Sequence, residues 1–171
     1  VENAELVGTY LNEATAFAGI PIYYFYDSLA RLAVCPKVES QETTQETQET
    51  GFFEKTGFLK ATQETRFFEK TGFQSQILEK VAAKQKKMRK WADNAPMNYL
   101  HKFYLVEAER HRVLGEKLEA IEFYDRAIAG AKENGYIQEE ALANELAAKF
   151  YLEWGKETIA EAYLTKAYYG Y

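Results

Sequence analysis

The chain has 171 residues, 47% of them hydrophobic and 15% aromatic, enough for one domain that removes ~70% of its unfolded surface from water. A formal charge of −5 excludes the net basic footprint of most nucleic-acid binders, so no nucleic-acid partner is expected. Cys35 is the single cysteine; it offers neither a disulfide framework nor a metal cluster and suits a small buried hydrophobe in a reducing, cytoplasmic setting.

No apolar run approaches the ~18 residues of a membrane span, and no basic-then-apolar pattern opens the sequence, so a soluble, unsecreted chain is expected. From Glu2 to Ala18, Leu6, Val7, Tyr10, Leu11, Ala14 and Phe17 recur at helical spacing and Gly19 supplies a stop. Pro21 suits the first turn of a second helix with Ile22, Tyr23, Tyr26, Leu29, Ala30 and Ala33 on its apolar side. Cys35-Pro36 ends it, because the residue before proline avoids the helical region. Residues 1–36 are read as an N-terminal helical hairpin.

Residues 37–73 change character. TQETGFFEKTGF (Thr47 to Phe58) returns as TQETRFFEKTGF (Thr62 to Phe73), with Gly51 against Arg66 as the single difference. Copies this alike point to a tandem duplication inserted into the fold. The Thr, Gln and Glu background buries too little apolar surface to offset chain ordering, so a mobile low-complexity loop is expected. Gln74 to Ala92 reads as a basic helix in which Lys80, Lys84, Lys86, Lys87, Arg89 and Lys90 surround Ile77, Val81, Met88 and Trp91. A membrane-surface or regulator anchor has this pattern; a solvated outer face is the more ordinary account of it, and no membrane partner is expected.

Asn94-Ala95-Pro96 breaks the chain, and residues 74–171 form a helical-repeat segment with repeats near 97–135 and 137–171. Helices are expected over Met97–Leu114, Glu116–Lys132, Ile137–Trp154 and Lys156–Tyr171, with stops at Gly115, Asn134-Gly135 and Gly155. Slid by 40 positions, Ala108, His111, Gly115, Ala120, Tyr124 and Ala127 fall on Ala148, Tyr151, Gly155, Ala160, Leu164 and Ala167. Small residues where helices touch, with a glycine in the turn, are the signature of tetratricopeptide-like hairpins. The fold class read from this is all-α, antiparallel helical hairpins stacked as a solenoid. Tyr163, Ala167 and Tyr171 form a stripe on the last helix with nothing after it, which points to a missing continuation, and with a start at Val1 the chain reads as a piece of something longer.

Catalytic signatures are absent from the sequence: no GxxxxGK[ST] or GxGxxG phosphate loop and no HRD or DFG set. His101 and His111, ten residues apart without a Glu-flanked motif, read as packed or surface histidines and not as a metal pair. Glu107, Glu109, Glu119, Glu122, Glu139 and Glu140 read as solvated ion-pair partners of residues such as Lys117 and Arg126. No catalytic residue, cofactor or metal is assigned.

The segments NAPMNYLHKFYLVEAERHRVLG (Asn94 to Gly115), KLEAIEFYDRAI (Lys117 to Ile128), NGYIQEEALANELAAKFYLEWGK (Asn134 to Lys156) and GIPIYYFYDSLARLA (Gly19 to Ala33) resemble a helical spacer. It belongs to cyanobacterial-type signalling proteins that join a Ser/Thr protein kinase, an AAA-like ATPase and a GAF plus histidine-kinase module. The resemblance implies a non-catalytic scaffold coupling ATPase to kinase, with protein or neighbouring-domain partners. In a tetratricopeptide register its concave partner-binding face is lined by Lys102, Leu105, Glu109 and Arg112, then Leu142, Glu145, Lys149 and Leu152; its mixed charge favours a peptide or domain over a small molecule.

Overall fold

The computed structural model describes residues 19–36 and 57–171, with residues 57–70 as backbone only. Helices occupy Gly19–Ala33 (α1), Gly57–Asn94 (α2), Pro96–Leu114 (α3), Lys117–Glu133 (α4), Ile137–Glu153 (α5) and Glu157–Gly170 (α6), and the described residues hold no strand. The helix expected over Glu2–Ala18 and the stretch 37–56 lie outside the described residues.

The second copy of the duplicated peptide, expected as loop, is helical: α2 starts at Gly57 and not at Gln74. No proline separates the copy from the basic helix, and its Glu, Gln and Lys residues are good helix formers. A helix already nucleated over 74–94 extends through them at one hydrogen bond per residue, which a composition argument about loops does not capture.

Downstream, helix ends fall within a residue of the expected bounds because the punctuation is chemical. Pro96 occupies the first turn of α3, where its missing N–H costs nothing. Gly115, Gly135 and Gly155 close α3, α4 and α5 at φ 79, 75 and 73°, a left-handed conformation that a side chain disfavours. The turns are near copies: Glu116 N donates to His111 O at 3.0 Å, Tyr136 N to Ala131 O at 2.9 Å and Lys156 N to Tyr151 O at 2.8 Å.

Each helix packs on its sequence neighbour, the α3/α4 and α5/α6 hairpins most extensively; α1 also packs on α3, and α3 touches α5. The 40-residue period extends beyond the residues that announced it. His111 stacks on Phe123 with ring centroids 5.1 Å apart, and Tyr151 stacks on Tyr163 at 5.4 Å. A methyl group on Gly130 would lie 3.3 Å from His101 Cβ, and one on Gly170 2.9 Å from Ala141 Cβ. In both comparisons each residue and its counterpart are 40 positions apart. Ala108, Ala120 and Ala127 and their equivalents Ala148, Ala160 and Ala167 are buried, so alanines and glycines set how closely each hairpin closes. Around these seams Phe25, Leu32, Val81, Met88, Leu105, Val106, Val113 and Tyr124 form one continuous core.

Candidate partner-binding face and its polar junctions

The expected concave face divides into two halves with opposite fates. On α3, Lys102, Leu105 and Glu109 are buried and Arg112 is nearly so; on α5, Leu142 and Glu145 are half-buried while Lys149 and Leu152 are exposed. The first half is therefore corrected from an open surface to an interior seam. α1 lies across α3 with Phe25, Ser28 and Leu32 buried and covers the Arg112 end, Tyr124 meets Glu109, and Tyr136 and Glu139 enclose Lys102. Arg112 Nη2 donates at 3.2 Å to Leu32 O, a carbonyl at the end of α1 that also accepts from Cys35 N at 3.3 Å.

Arg112 also holds Glu109 at 2.8 Å and reaches Glu153 of α5 at 3.8 Å. Burial opposes the guanidinium charge, yet Glu109, with Tyr124 and Glu153 beside it, offsets this and the pKa of Arg112 is raised. Tyr124 of α4 donates its hydroxyl to Glu109, and burial together with that carboxylate pushes the phenol well up. One arginine thus ties α1, α3 and α5 together, and the α4 tyrosine joins the same carboxylate.

A second junction sits at the N-terminal end of α3. Lys102 Nζ lies 2.9 Å from His101 Nε2, 3.2 Å from Glu139 of α5, 3.3 Å from Asn98 O and 4.1 Å from the centroid of the Tyr136 ring. An ammonium only donates, so His101 Nε2 accepts and the ring proton sits on Nδ1. Burial first, and the adjacent Lys102 charge second, lower the His101 pKa to about 4. Burial also lowers that of Lys102, with Glu139 opposing. The neutral imidazole has committed its lone pair to Lys102 and has none left to take a proton from a substrate. Its Nδ1 is buried without a hydrogen-bond partner. Beside it, Pro96, Met97, Leu100, Tyr104, Glu133 and Asn134 border a shallow cleft of about 280 Å³.

Other sequence candidates settle into local roles. His111 bonds Glu116 at 2.5 Å, and ten residues of helix put it ~15 Å along α3 from His101, as the rise per residue dictates. Among the described residues no group of three or more His, Cys, Asp or Glu side chains is placed to hold a metal ion. Glu107 and Glu109, expected in solvent, are buried. Gln85 of α2 reaches Glu107 Oε1 at 2.9 Å and Arg110 reaches Oε2 at 2.6 Å. Glu122, by contrast, is exposed and pairs with Arg126 as expected.

The basic helix keeps one side in the core, with Ile77, Val81, Gln85, Met88 and Ala92 buried, and presents Lys86 and Lys90 outward. No described helix is long and apolar enough to cross a membrane. On α6 the stripe named in the sequence is also corrected: Ala167 is buried, and Tyr163 packs inward, donating to Asp125 at 3.1 Å. Tyr171 is exposed as expected, together with Ile159, Leu164, Tyr168 and Tyr169. Gln85, Tyr136 and Gly130 were not singled out by sequence reasoning; the period alone, carried from Gly170 back by 40, would have flagged Gly130. No family model matches the chain, and comparison with curated proteins and with solved structures returns no match.

Proposed function

We propose that the chain is a non-catalytic, tetratricopeptide-like helical-repeat scaffold, a spacer segment of a signal-transduction kinase/ATPase protein that holds protein partners or neighbouring domains of a larger polypeptide. The observation that carries this reading is the recurrence, 40 residues apart, of the stacked ring pair, the glycine approach and the glycine-closed turn. Contacts repeated at one period mean one supersecondary unit used again, the construction principle of repeat scaffolds that act through extended surfaces. Packing of α1 on α3 and of α3 on α5, beyond sequence neighbours, agrees with such stacking.

The partner-binding face in this proposal shrinks to the accessible side of α5. Lys149 and Leu152 are exposed there, and Glu145 is held ionised by hydrogen bonds from Lys149 and from the Tyr171 hydroxyl, which lower its pKa. The test is titration of the purified chain with isolated kinase, ATPase and GAF–histidine-kinase domains from a protein carrying this type of spacer. One of them is expected to bind, and Lys149→Glu with Leu152→Asp is expected to abolish binding while the thermal transition stays in place. Binding of none of them removes the scaffold assignment, and phosphate transfer from labelled ATP removes the non-catalytic one.

A further inference from the structure

Two exposed helix faces carry complementary chemistry at matching intervals. On α6, Glu157, Glu161, Leu164 and Tyr168 are exposed and follow one another at steps of four, three and four residues, which aligns them on a single stripe. Counted from its C-terminal end, α2 presents Lys90, Lys86, Ala83 and Glu79, all exposed, at the same three steps.

The α6 stripe is the register equivalent of the surface by which α4 receives the next helix. Forty residues earlier stand Lys117, Ile121, Tyr124 and Ile128. Tyr124 there is buried with its ring 5.6 Å from that of Phe150, and Lys117 lies over the Trp154 ring at 5.0 Å. On α6 the same surface is open, with Leu164 42% and Tyr168 78% exposed. The charges are segregated in the sense that association needs. Residues 74–94 carry five lysines and an arginine against two acids, whereas residues 137–171 carry six acids against three lysines.

We propose that α6 of one copy docks antiparallel on α2 of a second copy. Glu157 then faces Lys90, Glu161 faces Lys86, Leu164 covers the small Ala83, and the Tyr168 hydroxyl donates to Glu79. Equal rise per residue in the two helices keeps all four pairs in step. A lipid surface is a poorer occupant of the α2 face, because Ala82 and Ala83 are the residues between its lysines and neither inserts far into a bilayer. The contact is heterologous, the donor face on α6 and the acceptor face on α2, so it propagates head to tail and does not stop at a dimer.

Sedimentation equilibrium of the full chain over rising concentration tests this. In about 20 mM salt the weight-average mass is expected to climb from 19.7 kDa past twice that value, and to return to the monomer in about 0.5 M salt, where the Debye length is a few Å. Glu157→Lys/Glu161→Lys and Lys86→Glu/Lys90→Glu are each expected to stay monomeric with unchanged helicity, and an equimolar mixture of the two to associate again past the dimer, with the variants alternating along the chain because each α6 face then meets an α2 face of opposite charge. If a swap variant misfolds, the milder Glu157→Gln/Glu161→Gln is used and the same loss of association is expected. A mass fixed at the monomer value at every concentration overturns the proposal. So does association that survives both swaps, or a mixture of the two variants that remains monomeric.

Discussion

The α3/α4 and α5/α6 hairpins share a register and differ in their neighbours. Within each, alanines fill the seam, a ring pair stacks near the turn, and a glycine admits the opposing helix. Outside the seam they part: Tyr124 is 1% exposed and its equivalent Leu164 is 42% exposed; His101 and Lys102 form a buried polar junction where Ala141 and Leu142 stand. The hairpin flanked on both sides has become a hub that joins α1, α2 and α5, while α6 keeps an open face. The repeat thus dictates contacts inside a unit, and the neighbours dictate whether the remaining residues act as core or as surface.

The sharpest way to break this comparison is the pair at its centre. Tyr124→Ala is expected to destabilise the fold by about 3–5 kcal/mol, the range for emptying a buried aromatic site, read as a lower denaturation midpoint in urea. A midpoint within error of the parent would mean that the hub is not a core. Gly130→Val and Gly170→Val, which place bulk against His101 and Ala141, test the shared close approach. About 1–3 kcal/mol is expected at Gly130, where α4 is held between α3 and α5. A smaller loss is expected at Gly170, because it ends α6 and that end can tilt away. Equal losses would show that flanking helices do not matter.

Lys102→Met leaves His101 Nε2 and Glu139 without their partner and is expected to cost about 2 kcal/mol. Recasting the junction in the image of the second hairpin, with His101→Ala, Lys102→Leu and Glu139→Gln, is expected to recover part of that loss, since removing a whole buried polar set is milder than orphaning half of it. Calorimetric melting of the two variants side by side decides between them.

Acid supplies a gentler probe of the same junction. The folded state holds His101 at about 4, below its ordinary 6.5, so the unfolded chain takes up this proton first as pH falls. The stabilisation linked to the neutral ring is complete above about pH 6.5 and is lost progressively on the way down to about pH 4. The fall in Tm over that window is expected to be shallower in His101→Gln than in the parent; parallel curves would show that His101 is solvated. Least of all, Leu164→Ala is expected to move stability by no more than about 0.5 kcal/mol, as for an exposed position, measured in the same urea titration as Tyr124→Ala.

The face expected on α3 and α5 was legible in spacing and not in depth. Lys102, Glu109 and Arg112 sit where a helical register puts them, yet charged residues read as solvent-facing until α1 is known to cross them and Glu139 to reach back from α5. The duplicated tract failed for another reason: its composition describes an isolated peptide, whereas its second copy is continuous with a helix anchored in the core by Ile77, Val81 and Met88. Tyr163 was read as unpartnered because the period supplies no following repeat; its partners, Asp125 and Tyr151, lie on the preceding helices.

Local chemistry in the sequence determined the helical class, the turns and the tight seams: glycines at positive φ and prolines at first turns act within a few residues, and alanines at period 40 need only the adjoining helix of their own hairpin. The tertiary structure alone decided which polar residues are buried. Whether Lys102, Glu107 or Arg112 meets water depends on helices far away in sequence, and a buried charge persists only where packing delivers its counter-charge and hydrogen bonds to the same place.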